Sequence, residues 1–444
     1  MVNANIAIIT ELQTFLSTLS MDSSIRSLFT NNKGDFSRNR KLPLSRLVAL
    51  ILNMPKRSLS IEVNEFFSTL GLEYEESCGK SAFCLQRTKL NPLFFSVWND
   101  WLVSLFYQHY GEDVKRWRGF KLQAVDGSTA YLVNKPEVID YFGIAGNGEC
   151  KVPMARVMQV YDILNEVTVW GNMYPVKVSE RSIMHYRIQC FAEDSLSIFD
   201  RGFPSFALMY LMENQERPRY FVMRCRGDFN KETLAFLQGN ENDCTVELKA
   251  GYKAIRTLRD QGYLTTAETS LKVRMVKVEL STGEIEILLT NLYNQLNYNV
   301  LDLKELYRLK WAIETSYSHQ KNQQQMEQFS GHRSICILQD YLAGLFVSNL
   351  QCLIEKQCEP YLQEKNKTRK YRQKINKNVS WAALKHNIVK LFLFSNPEKI
   401  LLVLQKEFER NIEPKRPGRH NPRIKKSRRL TGKYYTVTNY RRAI

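Results

Sequence analysis

Three carboxylates in this chain of 444 residues sit where acid oxygens could hold metal ions. Asp126 follows the apolar run LQAV and precedes Gly127, Ser128 and Thr129, small residues that let a metal and a phosphate backbone approach. Asp200 ends the run SLSIF and is followed by Arg201 and Gly202. Glu314 belongs to a late helical stretch. Hard oxygen ligands from separate chain segments are what two Mg²⁺ ions about 3.5–4 Å apart require, with positions left for phosphate and water. One ion activates a nucleophile and the other neutralises a leaving oxygen, so the chemistry would be phosphoryl transfer. Each acid alone also has an ordinary reading, as a turn residue or a solvated helical one. Asp162, after another apolar run, has the same local character, and the carboxylates by themselves do not exclude it.

The late helix separates these readings. In ELYRLKWAIETSYSHQK, the residues Tyr307, Lys310, Glu314 and Lys321 follow the spacing Tyr-x2-Lys-x3-Glu-x6-Lys. At about 100° per residue they share a stripe about 60° wide. One helix face thus carries a carboxylate, two ammonium groups and a phenol, beside an apolar stripe of Leu306 and Ile313 that can dock on a sheet. A surface Lys–Glu ladder would explain Lys310 and Glu314. It would not explain Tyr307 and Lys321 on the same stripe.

That spacing resembles the YREK signature of bacterial insertion-sequence DDE transposases of the "insertion sequence four" group. VDGS at Asp126 and FDRGF at Asp200 are similar to that family's two aspartate motifs, in the same order. SERSIMHYRI, VRMVKVEL and LLTNL extend the likeness, which runs from about Ser81 to Arg333, and NYRRA near the C-terminus is also similar. Lys310 departs from the signature, which has Arg there; Lys keeps the charge and loses the bidentate fork. The resemblance implies a ribonuclease H-like fold with the first Asp on the first strand, the second on the fourth and the Glu on a later helix. It implies that Asp126, Asp200 and Glu314 hold two Mg²⁺ ions, with Mn²⁺ as a substitute. Tyr307, Lys310 and Lys321 would then grip DNA phosphates. It further implies cut-and-paste transposition, with double-stranded DNA at element ends and target as partner. A homodimer in a synaptic complex is expected, as is a location in the bacterial cytoplasm with the nucleoid.

The elements that would position these residues are legible as a change of period. Residues 1–115 read as helical, with Pro43 before LSRLVALIL and Gly71 after another short helix, and are expected to form a DNA-binding domain. After Arg118, FKLQAVDGS, ARVMQVYDIL, VTVWGNMYPV, SLSIFDRGF and RYFVMRCR are strand-like, with helices predicted over 179–193 and 205–214. The expected fold is α/β: a mixed sheet flanked by helices, its catalytic core formed by residues 116–226 and 299–335. Residues 227–298 read as a β-rich insertion, which the resemblance would use to support a distorted DNA end; no Trp lies in it. A single helix is predicted from Leu303 to about Met326. Residues 336–410 form a C-terminal helical region and 411–444 a basic tail.

Charge points to a polyanionic partner. The chain has 63 Lys and Arg against 45 Asp and Glu, a net +18. Residues 411–444 hold eleven of the cations and one acid, Glu413, for +10. A second basic run covers residues 364–378. Tyr371, Tyr434, Tyr435 and Tyr440 interleave with these cations, which suits contact with phosphates and bases. No uncharged apolar run reaches the ~18 residues of a bilayer span, and MVNANIAIIT lacks the basic start of a secretory signal. The nine cysteines form no CxxC pair. A related metal-dependent endonuclease or resolvase would use the same acids. A DNA-binding protein that keeps the fold without catalysis would not need them.

Overall fold

The computed structural model describes residues 2–416, apart from 39, 54, 55, 148, 149, 281 and 282. The tail beyond 416, with NYRRA and most of its cations, lies outside the described residues. Among those described, a nine-stranded mixed sheet runs through the centre. Its strands are β1 (Lys121–Tyr131), β2 (Ile144–Asn147), β3 (Cys150–Asp162), β4 (Val167–Pro175), β5 (Ser195–Phe199), β6 (Tyr220–Cys225), β7 (Asp243–Lys249), β8 (Ser270–Glu279) and β9 (Ile285–Thr290). The order is β2-β3-β1-β5-β6-β9-β8-β7, with β4 also on β3. β1, β5 and β6 are parallel to one another, and every other pairing is antiparallel.

Strand alternation divides the apolar side chains between two faces. Leu122, Ala124, Leu196, Ile198, Val222 and Leu288 enter one core; Val125, Phe199, Phe221, Met223 and Leu289 enter the other. The first core is the larger and includes helices from both ends of the chain. Leu93–Tyr110 and Leu44–Leu52 pack with Ser334–Lys356, and Val2–Met21 packs with Pro397–Arg410. The second face is covered by Glu180–His185, Phe206–Glu213 and Tyr252–Arg259, whose Met184, Leu208 and Leu258 are fully buried.

Three expectations change. The segment 227–298, expected as a β-rich insertion, also carries helices and belongs to the main sheet. It contains the helices Lys231–Gln238 and Tyr252–Arg259, and its strands continue the main sheet because β9 pairs with β6. The late helix is two helices, Val300–Leu309 and Trp311–Asn322, meeting at Lys310. There the amide of Lys310 bonds to the Tyr307 carbonyl and that of Ile313 to the Lys310 carbonyl, three-residue closures that tighten the turn. Ser334–Lys356 is, by length and composition, long and apolar enough to cross a bilayer, but 83% of its apolar window is buried inside the protein. Its apolar residues serve the core that joins the two ends of the chain.

Candidate active site

Asp126 and Asp200 lie side by side because their strands do. β1 and β5 are parallel with Val125 opposite Phe199, so the next residue on each chain is an aspartate. Parity sends both side chains to the face of Leu122, Ala124, Leu196 and Ile198. That face also carries the late helix pair, anchored there by the buried Leu303, Leu306, Ile313 and Tyr317. β5 stops at Asp200 because the chain turns: Phe203 N–H donates to the Asp200 carbonyl at 3.0 Å, and Arg201 N–H to its Oδ1 at 2.7 Å.

The polar stripe of the helix pair lands on these two strands. The Tyr307 hydroxyl donates to Asp200 Oδ1 at 3.4 Å. Lys310 Nζ is 3.6 Å from Asp126 Oδ1, and its side chain is nearly buried. Lys321 Nζ donates to Ser128 Oγ and to the Thr129 carbonyl, both at 2.7 Å. Tyr317, outside the predicted set, donates to the Asp126 carbonyl at 2.9 Å and so pins the strand. Glu314 lies one turn beyond Lys310 and one turn before Tyr317 and Ser318. Since Lys310, Tyr317 and Lys321 all reach residues 126–129, Glu314 is on the face turned toward β1. It is half-buried, with no hydrogen bond or ion pair among the described residues. No group of three or more His, Cys, Asp or Glu poised to hold a metal is assembled among those residues. The structure therefore brings together Asp126, Asp200, Tyr307 and Lys310, bonds Lys321 of the helix to β1 beside them, and leaves Glu314 without a hydrogen bond or ion pair among the described residues.

Burial pushes the Asp126 carboxyl up to about 6; the Lys310 ammonium opposes the shift, and the Glu180 and Asp200 carboxylates add to it. Burial, with the Asp200 charge, also pushes the Tyr307 phenol well up, so it stays a protonated donor. Asp162, the competing acid, is excluded by its surroundings. It is fully buried and accepts from Tyr107 Oη at 2.7 Å, Asn165 Nδ2 at 2.9 Å and the amides of Leu164 and Asn165, both at 3.1 Å. Its oxygens are used in closing the turn between β3 and β4.

Two ion pairs flank the aspartates without having been expected from sequence. Arg224 on β6 pairs with Glu286 on β9 at 2.5 Å, beside Tyr307 and Asp200. On the opposite face of β1, Arg156 pairs with Glu180 at 2.7 Å. Glu180 lies so close to Gly127 that a Cβ there would be 2.2 Å from its Oε1. The only sequence signal was the presence of Gly127 after Asp126 and of Glu180 within SERSIMHYRI, and neither gives a partner.

No family model matches this chain. A stretch of 110 residues is 23% identical to "Putative transposase InsZ" of Escherichia coli (strain K12), covering 24% of this chain and 37% of that protein. The chain thus matches little more than a third of that relative's length. Among solved structures, a piggyBac transposase synaptic complex with hairpin DNA aligns at a TM-score of 0.44 and 10% identity, over 94% of this chain and 88% of that one.

Proposed function

We propose that this chain is a DNA transposase that cuts strands at element ends and joins them to target DNA by a metal-dependent, cut-and-paste reaction. The observation that carries the reading is the pair Asp126 and Asp200 at matching positions of adjacent parallel strands, under a helix whose Lys310 and Tyr307 touch them. The strand order supports a ribonuclease H-like core. With the four-residue β2 set aside, Asp126 is on the first strand, Asp200 ends the fourth, and Glu314 is on a later helix. The partial likeness to a transposase sequence agrees with this reading.

The donor set suits a divalent cation. It offers only carboxylate oxygens, the hard ligands that such an ion takes. Asp126 and Asp200 would hold Mg²⁺, or Mn²⁺ in its place, with Glu314 completing the set from the facing helix. Bound there, the metal supplies Lewis-acid activation of the attacking oxygen and neutralises the leaving one. Tyr307 holds Asp200 in orientation through its hydroxyl, and Tyr317 fixes the β1 backbone at Asp126. Lys310 and Lys321 place two cations along the strand, where phosphates of duplex DNA at the element end would lie. A homodimer bringing two ends together, and work at the nucleoid in the cytoplasm, belong to the same proposal.

The test is incubation of the full chain with Mg²⁺ and a duplex carrying the element's end, read for cleaved and joined products. Joining supports the transposase. Cleavage without joining favours a resolvase or endonuclease, and binding alone a non-catalytic DNA-binding protein.

A further inference from the structure

The two basic runs, separated by more than thirty residues in sequence, meet in space. A small antiparallel ribbon, β10 (Gln373–Ile375) and β11 (Ile412–Pro414), joins them with Lys374 opposite Glu413 and Ile375 opposite Ile412. The pairing extends one step further, since Lys415 N–H donates to the Arg372 carbonyl at 2.7 Å. Ile375 is buried and anchors the ribbon on the helical body. Around it Arg369, Lys370, Arg372, Lys415 and Arg416 are all exposed. Two neighbouring cations already have acidic partners: Lys367 pairs with Glu364 at 2.6 Å and Lys374 with Glu413 at 2.9 Å. The five others form no ion pair among the described residues.

We propose that this ribbon is a second DNA-binding surface, separate from the Asp126 site, which grips the phosphate backbone of duplex DNA without reading sequence. Five cations without an ion pair among the described residues, gathered around a short, anchored ribbon, repel one another unless a polyanion lies across them. Lys370 stands 5.6 Å from the Tyr371 ring, a flat, sequence-tolerant surface beside the charges. Glu364 and Glu413, the carboxylates of the two runs among the described residues, are both in ion pairs, which favours backbone contact over base readout. A duplex is favoured over an anionic membrane because the ribbon's own strands carry no large apolar side chain that is exposed, so no apolar face of the ribbon is offered to a bilayer. The surface rests on the proposal that the chain acts on DNA, but it binds through different residues from the catalytic ones.

The experiment uses the full chain and a random-sequence DNA duplex of about 30 base pairs, with binding measured across a salt series. The variant replaces Arg369, Lys370, Arg372, Lys415 and Arg416 with Gln. Each phosphate that is no longer neutralised flattens the log–log salt slope by about 0.9. A slope flatter by about 2 or more, with thermal melting unchanged, is expected; a smaller change overturns the surface. If the five-site variant melts early, Arg369→Glu with Lys370→Glu, outside the ribbon pairing, is read by the same criterion. Loss of binding to phosphatidylserine vesicles with the duplex slope intact would assign the surface to membrane and overturn the proposal. Absence of cleavage by the wild type together with a flattened slope would sink the transposase reading and leave the ribbon standing.

Discussion

Lys310 Nζ stands 3.6 Å from Asp126 Oδ1, at the joint between two helices, with only 9% of its side chain exposed. The joint matters because it carries the lysine down to the strand while Tyr307 reaches the neighbouring aspartate. Lys310→Met should destabilise the metal-free protein at pH 8 by on the order of 1–2 kcal/mol, since it leaves a partly buried carboxylate without its counter-charge. The loss should shrink below about pH 4, where Asp126 is protonated with or without the lysine. Equal loss at both pH values, in chemical denaturation, would show that packing and not charge is what Lys310 provides.

Asp126 itself costs stability. Its ordinary carboxyl value of 3.8 rises to about 6 in the folded chain, chiefly through burial. Between those values the folded protein holds a proton that the unfolded chain has released, so stability falls as pH rises from about 4 to 6 and stays lower above. Asp126→Asn should therefore stabilise the metal-free protein at pH 8 by on the order of 2 kcal/mol and change little at pH 4. Denaturation of the two proteins at both pH values checks this; a variant less stable at pH 8 contradicts it.

Asp162→Ala should behave in the opposite way. It strands Tyr107 Oη and the amides of Leu164 and Asn165 in a buried turn. Leaving such donors unmade costs about 1–3 kcal/mol each. Strong destabilisation is expected, with the protein that remains folded still binding Mn²⁺. Loss of Mn²⁺ binding in a stable Asp162→Ala protein would reopen that residue as a ligand.

Gly127 is required by its neighbour rather than by backbone angle. A Cβ would sit 2.2–2.8 Å from the Glu180 carboxyl end, which Arg156 holds in place. Gly127→Ala should cost about 1–3 kcal/mol, as overpacking does. Adding Glu180→Ala removes the obstructing atoms, so the double variant should recover most of that loss relative to Glu180→Ala alone. Additive losses in a double-mutant cycle would show that the clash is not the cause.

The aspartates and the helix stripe were legible because periodicity marks both. LQAV and SLSIF have β-forming runs that end at an acid, and one side of the late helix collects Tyr307, Lys310 and Lys321. What each stripe residue touches was not legible: Lys321 spends its donors on Ser128 and Thr129, contacts between segments nearly two hundred residues apart. The joint at Lys310 was missed because LYRLKWAI contains no Gly or Pro to mark it. The continuation of the sheet through β9 was missed for a different reason. Strand pairing between β6 and β9 is set by packing across some sixty residues and leaves no local signal. The helix Pro136–Phe142 and β2 are too short to show a period.

We propose that Asp126 and Asp200, faced by Glu314, hold the metal ions with which the protein cuts DNA. Single-turnover cleavage of an end-bearing duplex in Mg²⁺ tests it most directly, comparing the wild type with Asp126→Ala, Asp200→Ala and Glu314→Ala. Each substitution removes ligand oxygens while the many phosphate contacts elsewhere remain. The expected result is a loss of cleavage of about a thousandfold or more in every variant, with duplex affinity within about threefold of wild type. Cleavage at the wild-type rate by any of the three would contradict the account.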